Sequence, residues 1–127
     1  MPTKTQTTPA DREAGALFAD KDPIARTIYD ALMFALRRLG DVVAAPKKSS
    51  IHLTAGIGTS GFAGVHPRKA GILLNVRTDA PLSGARIRKT EQVSRNRYHN
   101  ELLLTAPSDI DDELRGWLAE AHRLASR

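Results

Sequence analysis

The sequence predicts an α+β domain: an antiparallel sheet of about five strands with an N-terminal and a C-terminal helix packed on one face. One-sided apolar stripes at helical spacing lie near each end of the chain, and strict two-residue alternation runs through residues 50–55 and 71–77 between them. Two helices with one apolar side each, flanking strands with one apolar side, imply that both helices cover the same sheet face. A length of 127 residues suits one core.

Residues 1–15 are rich in Thr, Pro, Lys and Asp without periodicity, which predicts a disordered tail ahead of a domain over 16–127. Leu17 and Phe18 are the first apolar pair and dock the chain onto the core. Asp22 then caps a helix whose first position is Pro23, where a missing N–H costs nothing. Ile24, Ile28, Ala31, Leu32, Ala35 and Leu39 form its stripe, and Gly40 ends it. A short strand at 41–45 stops at Pro46. The second, 50–55, puts Ile51, Leu53 and Ala55 on one face and Ser50, His52 and Thr54 on the other. The third, 62–66, ends at Pro67. In the fourth, Ile72, Leu74 and Val76 oppose Leu73, Asn75 and Arg77. Residues 82–94 read as irregular, with one helical turn near Thr90, and 98–104 is the fifth strand. Pro107, Ser108 and Asp109 open the last helix, with Ser108 or Asp109 as its cap. Asp109, Asp111, Asp112 and Glu113 set negative charge at the positive end of its dipole. Ile110, Leu114, Trp117, Leu118, Ala121 and Leu124 or Ala125 make its apolar side. Aromatic residues are only 5% of the chain, so Trp117, Phe34 and Phe62 are the large anchors of an aliphatic core.

The absence of cysteine excludes disulfides, thiolate zinc sites, iron–sulfur clusters and cysteine nucleophiles, and points to a reducing compartment. No apolar run approaches the roughly 20 residues of a membrane span, and the polar start lacks the apolar stretch of a secretory signal. A cytoplasmic protein without membrane contact is expected.

Several motifs have a plain structural explanation. Residues 56–61 spell G-x-G-x-x-G after a strand, but the chain continues into strand-like sequence where a dinucleotide fold needs a helix, so a hairpin loop is expected. His52, His66, His99 and His122 lack ligand spacing, so no metal is assigned, although three of them could meet on adjacent strands. The acidic run 109–113 is explained by the helix start. No G-x-S-x-G elbow occurs, so no catalytic residue and no cofactor are assigned.

Charge is unevenly placed. Residues 1–45 are neutral, 46–100 carry +8 and 101–127 carry −3. The excess falls on Lys47 and Lys48, on Arg68 and Lys69, on Arg86, Arg88 and Lys89, and on Arg95 and Arg97. Most lie at expected strand ends, where they can meet an anion. Lys48, Arg86, Arg88, Lys89, Arg97 and Tyr98 form the candidate anion- or nucleic-acid-binding set, with Tyr98 as the stacking residue.

One resemblance covers residues 17–124. Lys48-Ser49-Ser50-Ile51, Phe62-Ala63-Gly64-Val65, Arg97-Tyr98-His99-Asn100 and above all the helix from Asp109 through Asp111-Asp112-Glu113-Leu114-Arg115-Gly116-Trp117-Leu118 to Ala121 resemble the bacterial family built on domain of unknown function 5655. The resemblance implies the same fold. It matches Lys48-Ser49 to a family lysine and serine and Tyr98 to a strand aromatic, while Asn100 stands where the family often has histidine. It implies no activity.

The resulting expectation is a non-enzymatic binding or interaction module with a basic surface for nucleic acid or another anionic ligand. The alternative is an enzyme of undefined class using Lys48 with His52, His99 and Asn100. A third reading is a protein partner, or a second copy, paired along an edge strand.

Overall fold

The computed structural model describes residues 9–126. Its elements run α1 (Pro9–Ala16), α2 (Pro23–Arg37), β1 (Val43–Pro46), β2 (Ile51–Thr54), β3 (Gly61–Arg68), β4 (Gly71–Thr78), β5 (Lys89–Ser94) and β6 (Arg97–Leu104). A 3₁₀ turn (Pro107–Asp109) and α3 (Asp112–Ala125) follow. All strand pairs are antiparallel, in the order β1-β2-β3-β4-β6-β5. Helices α2 and α3 both pack on β4 and on each other, so one face is covered, as the two apolar stripes predict.

Ile51, Leu53, Val65, Ile72, Leu74, Val76, Leu102 and Leu104 meet Ile28, Leu32, Leu36, Leu114 and Leu118 in a single core. Each of these side chains is essentially fully buried, and burying one stabilises the fold by about 1.5–3 kcal/mol. Gly71 permits the tightest approach within the sheet: a Cβ there would lie 2.4 Å from the Leu104 carbonyl oxygen. The backbone N–H of Asp22 donates to the Lys69 carbonyl at 2.6 Å, tying the start of α2 to the β3–β4 hairpin.

The sheet has six strands where about five were expected. The addition is β5, which replaces the irregular stretch and helical turn expected over 82–94. All six of its residues are exposed, so it carries no alternation to read. Part of the stretch 1–15 expected to be disordered is helical. Residues from Pro9 form α1, and Ala14 is 2% exposed within the core; residues 1–8 lie outside the described residues. Pro67 does not stop β3, because β2 ends opposite Val65 and no strand needs a donor from residue 67 on that side.

The capping of α2 is as read: the Asp22 carboxylate accepts from the Ile24 N–H at 3.1 Å. Its buried side is rotated from the expected stripe and consists of Ala25, Ile28, Tyr29, Leu32, Met33 and Leu36. Phe34 is not an anchor. It is 68% exposed, with the Arg38 guanidinium over its ring at 5.8 Å. The cap of α3 is Asp111, which accepts from the Leu114 N–H at 3.0 Å. Ser108 and Asp109 do not cap it; Asp109 accepts from the N–H groups of Thr105 and Ala106 inside the preceding turn.

Candidate functional site

Opposite the helices, the sheet presents a face that no helix among the described residues covers. Cross-strand partners share a face, so the register sets its layout. One row crosses all six strands: Ala45, His52, Gly64, Asn75, Glu101 and Lys89. Arg77, His99 and Glu91 form the row on one side of it, and His66, Leu73 and Leu103 the row on the other.

The centre of this face is a groove of about 290 Å³ lined by His52, Gly61, Gly64, His66, Asn75, Arg77 and His99. Gly64 is its floor. A Cβ built there would meet only the Asn75 Cβ at 3.9 Å, an ordinary contact, so the missing side chain is what leaves the groove open.

Electrostatics distinguish the groups around the groove. His66 and His99 are half-buried, and both are held below the ordinary histidine value. For His66 the cause is burial first, then the charge of Arg68, with Glu101 opposing and His52 adding a little. For His99 it is burial, then Arg97, with Glu91 opposing and Arg77 reinforcing. Both imidazoles are therefore neutral at pH 7 and offer one donor and one acceptor nitrogen each. Arg77 is pulled down by burial and by the Arg97 charge. Its guanidinium donates to the Gly61 carbonyl at 2.9 Å. No carboxylate lies within ion-pair distance of Arg77 or Arg97 among the described residues.

The six residues of the expected anion-binding set do not converge. Lys48 sits in the β1–β2 turn, at the sheet end that holds Arg68 and Leu104. Arg97 begins β6 at the other end, opposite Ser94. Arg88 and Lys89 lie at the start of the outermost strand, with Lys89 across from Glu101. Tyr98 shares the side of β6 that carries Asn100 and Leu102, facing away from the groove. Arg86 lies against the start of α3. It donates to Asp111 at 2.8 Å, to Glu113 at 3.3 Å and to the Asp109 carbonyl at 2.6 Å, with its guanidinium 5.9 Å from the Trp117 ring centre.

The alternative polar set is likewise divided. His52 and His99 both line the groove, but Asn100 is fully buried on the covered side. Its amide nitrogen donates to the Val76 carbonyl and the Thr78 hydroxyl, and its oxygen accepts from Leu82 N–H and the Thr90 hydroxyl. With all four positions filled, it is a structural pin between β4, β5 and β6. Three histidines do share one face, yet no group of His, Asp or Glu among the described residues has the geometry to hold a metal ion.

Sequence reasoning gave no site role to Arg77, Asn75 or Gly64, and considered His66 only as a metal ligand. The available signal was the alternation in β4, which sets Asn75 and Arg77 opposite Ile72, Leu74 and Val76. Two polar residues on one side of a buried strand mark an uncovered face. What sequence lacked was the strand order that sets His52, His66 and His99 around them.

The fold and this face define a small α+β domain with a two-helix cover and a polar open sheet surface. A family model described as Domain of unknown function (DUF5655) matches residues 14–125, and the chain belongs to that family. No curated protein and no solved structure matches it. No helix among the described residues is long and apolar enough to cross a membrane.

Proposed function

We propose that this domain is a non-enzymatic binding module that takes an anionic ligand in the groove on its open face, with Arg77 as the principal charge contact. The observation that carries this reading is the pairing of Arg77 with Arg97. The two stand on the same face of neighbouring strands, burial and the Arg97 charge hold Arg77 below its ordinary value, and neither has a carboxylate partner within ion-pair distance among the described residues. A bound anion relieves that repulsion and fills donors that the Gly61 carbonyl leaves vacant. Asn75 and the neutral His99 imidazole opposite Arg77 supply further hydrogen bonds, and the open floor at Gly64 supplies room.

The groove lining contains an arginine, an amide and imidazoles but no Ser, Cys, Asp, Glu or Lys. That composition favours holding a ligand over covalent chemistry.

The test is an NMR titration with tripolyphosphate. Amide shifts are expected to concentrate at Gly61, Asn75, Arg77 and His99, and Arg77→Met should weaken binding about tenfold, as loss of one charge-assisted contact implies. Equal binding by Arg77→Met, or shifts spread evenly over the surface, would refute the assignment.

A further inference from the structure

The groove does not end at its own rim. His66 also lines a second depression of about 350 Å³, shared with Lys48, Ser49 and Arg68 near the β1–β2 turn. Arg77 also lines a third, of about 430 Å³, with Thr78, Asp79, Asn96 and Leu124, which turns round the opposite end of the sheet toward α3. His66 joins the first two into one trough on the open face, and Arg77 and Arg97 stand on that face at its other end.

Its two ends are cationic. Arg68 lies opposite Gly71, six residues along β4 from Arg77, which sets the ends about 20 Å apart at ordinary strand rise. Lys48 and Arg68 have no carboxylate within ion-pair distance among the described residues, whereas Lys21 at the same rim is neutralised by Asp20 at 3.1 Å. Toward β5, Glu101 has Lys89 as its cross-strand partner, while Glu91, opposite the neutral His99, leaves one carboxylate on this face. The middle offers flat imidazoles, half-buried at His66 and His99 and exposed at His52. His52 and His66 lie on neighbouring strands two residues out of step, about 8 Å apart by strand geometry.

Separated cations with planar rings between them fit a chain that carries phosphates and planar bases. We infer that the trough binds single-stranded nucleic acid of about four nucleotides, the lower end of site sizes for single-strand-binding domains. Lys48 and Arg68 hold backbone phosphate at one end, and Arg77 and Arg97 hold it at the other. The imidazoles of His66 and His99 take the faces of intervening bases, a contact that histidine supplies in single-strand recognition. This inference rests on the anion-binding reading above and extends it to a partner and a path.

The experiment measures binding of oligothymidylates of increasing length, a matching duplex, tripolyphosphate and long-chain polyphosphate at several salt concentrations. Affinity for oligothymidylate should rise with length up to about four nucleotides and then level off. Arg68→Ala should weaken the filled-length oligonucleotide and lower its salt slope by about one unit, leaving tripolyphosphate binding at Arg77 unchanged. Arg38→Ala, which removes an equal charge just past the end of α2, should change neither. His66→Ala should weaken the oligonucleotide about tenfold while sparing polyphosphate, as lost base contact implies. Gly64→Leu, which blocks the floor without backbone strain, should abolish oligonucleotide binding while the thermal melt stays unchanged.

If polyphosphate binds as tightly as oligothymidylate and His66→Ala affects both alike, bases are not read. The nucleic-acid inference then falls while the anion reading stands. Tighter binding to duplex overturns it too. Failure of every probe, tripolyphosphate included, overturns both.

Discussion

Arg86 and Arg77 are both partly buried arginines of one small domain, and their surroundings run in opposite directions. Burial alone would lower Arg86, but hydrogen bonds and charge from Asp111 and Glu113 outweigh it, so its guanidinium is held above the usual value. Arg77 meets burial and a second cation, and is held below it. The same contrast separates two asparagines one register step apart: Asn100 is saturated on the covered face, and Asn75 lines the groove on the open one. A polar group whose partners are complete serves the fold. One whose partners are missing, on a face with room beside it, is available to a ligand.

The largest effect that separates the faces is expected at the asparagines. Asn100→Ala removes the side-chain partner of the Leu82 N–H and the bond to the Val76 carbonyl and opens a cavity, costing about 3 kcal/mol. Asn75→Ala should lie within about 0.5 kcal/mol of wild type. Urea denaturation of both variants checks this, and equal losses would erase the distinction. The arginines should show the same order at smaller scale. Arg86→Ala is expected to cost about 1–2 kcal/mol after allowance for solvent screening, while Arg77→Ala leaves the urea midpoint nearly unchanged and weakens anion binding about tenfold.

A smaller and sharper effect concerns pH. His66 and His99 are lowered below 6.5 in the folded protein, so the unfolded chain binds their protons more readily. The stability this difference contributes is complete above pH 6.5 and is lost as the pH falls through the lowered values. Binding of an anion should move the other way, since protonated imidazoles add positive charge beside Arg77. Urea midpoints at pH 7.5 and 5.5, with and without tripolyphosphate, should therefore shift with opposite signs. Histidine-to-glutamine variants at 66 and 99 should remove both trends. Parallel shifts would mean that these side chains do not face the ligand.

Much of the fold was legible because burial leaves a period in the sequence. Ile51 and Leu53, then Ile72, Leu74 and Val76, announce strands with one buried side, and Asp22-Pro23 announces the start of α2. The misses fall where burial is absent or is supplied from a distance. β5 is exposed along its whole length and carries no period. Phe34 looked like an anchor because size was read without the rotation of α2 about its axis. The site was less legible for a related reason. Runs of basic residues are conspicuous in sequence, yet Arg86 is occupied by α3 and Lys48 and Arg97 fall at opposite ends of the sheet. Arg77 stands alone in the sequence, and only the order β3-β4-β6 sets it beside His99 and Gly61.

The position of α3 has a consequence for how the protein is made. Strands β1 to β4 pair as successive neighbours, so they can assemble as the chain emerges. Half of their helical cover, through Leu114, Leu118 and Ala121, belongs to the last of the described elements. Until α3 is released, the part of the apolar side of β3 and β4 that it covers remains in contact with water beside a finished set of hairpins. The nascent form is thus a sheet whose apolar face is only half covered, the kind of surface that chaperones recognise and that aggregates when they are scarce. A premature stop within α3 would yield that sticky species rather than a smaller folded domain.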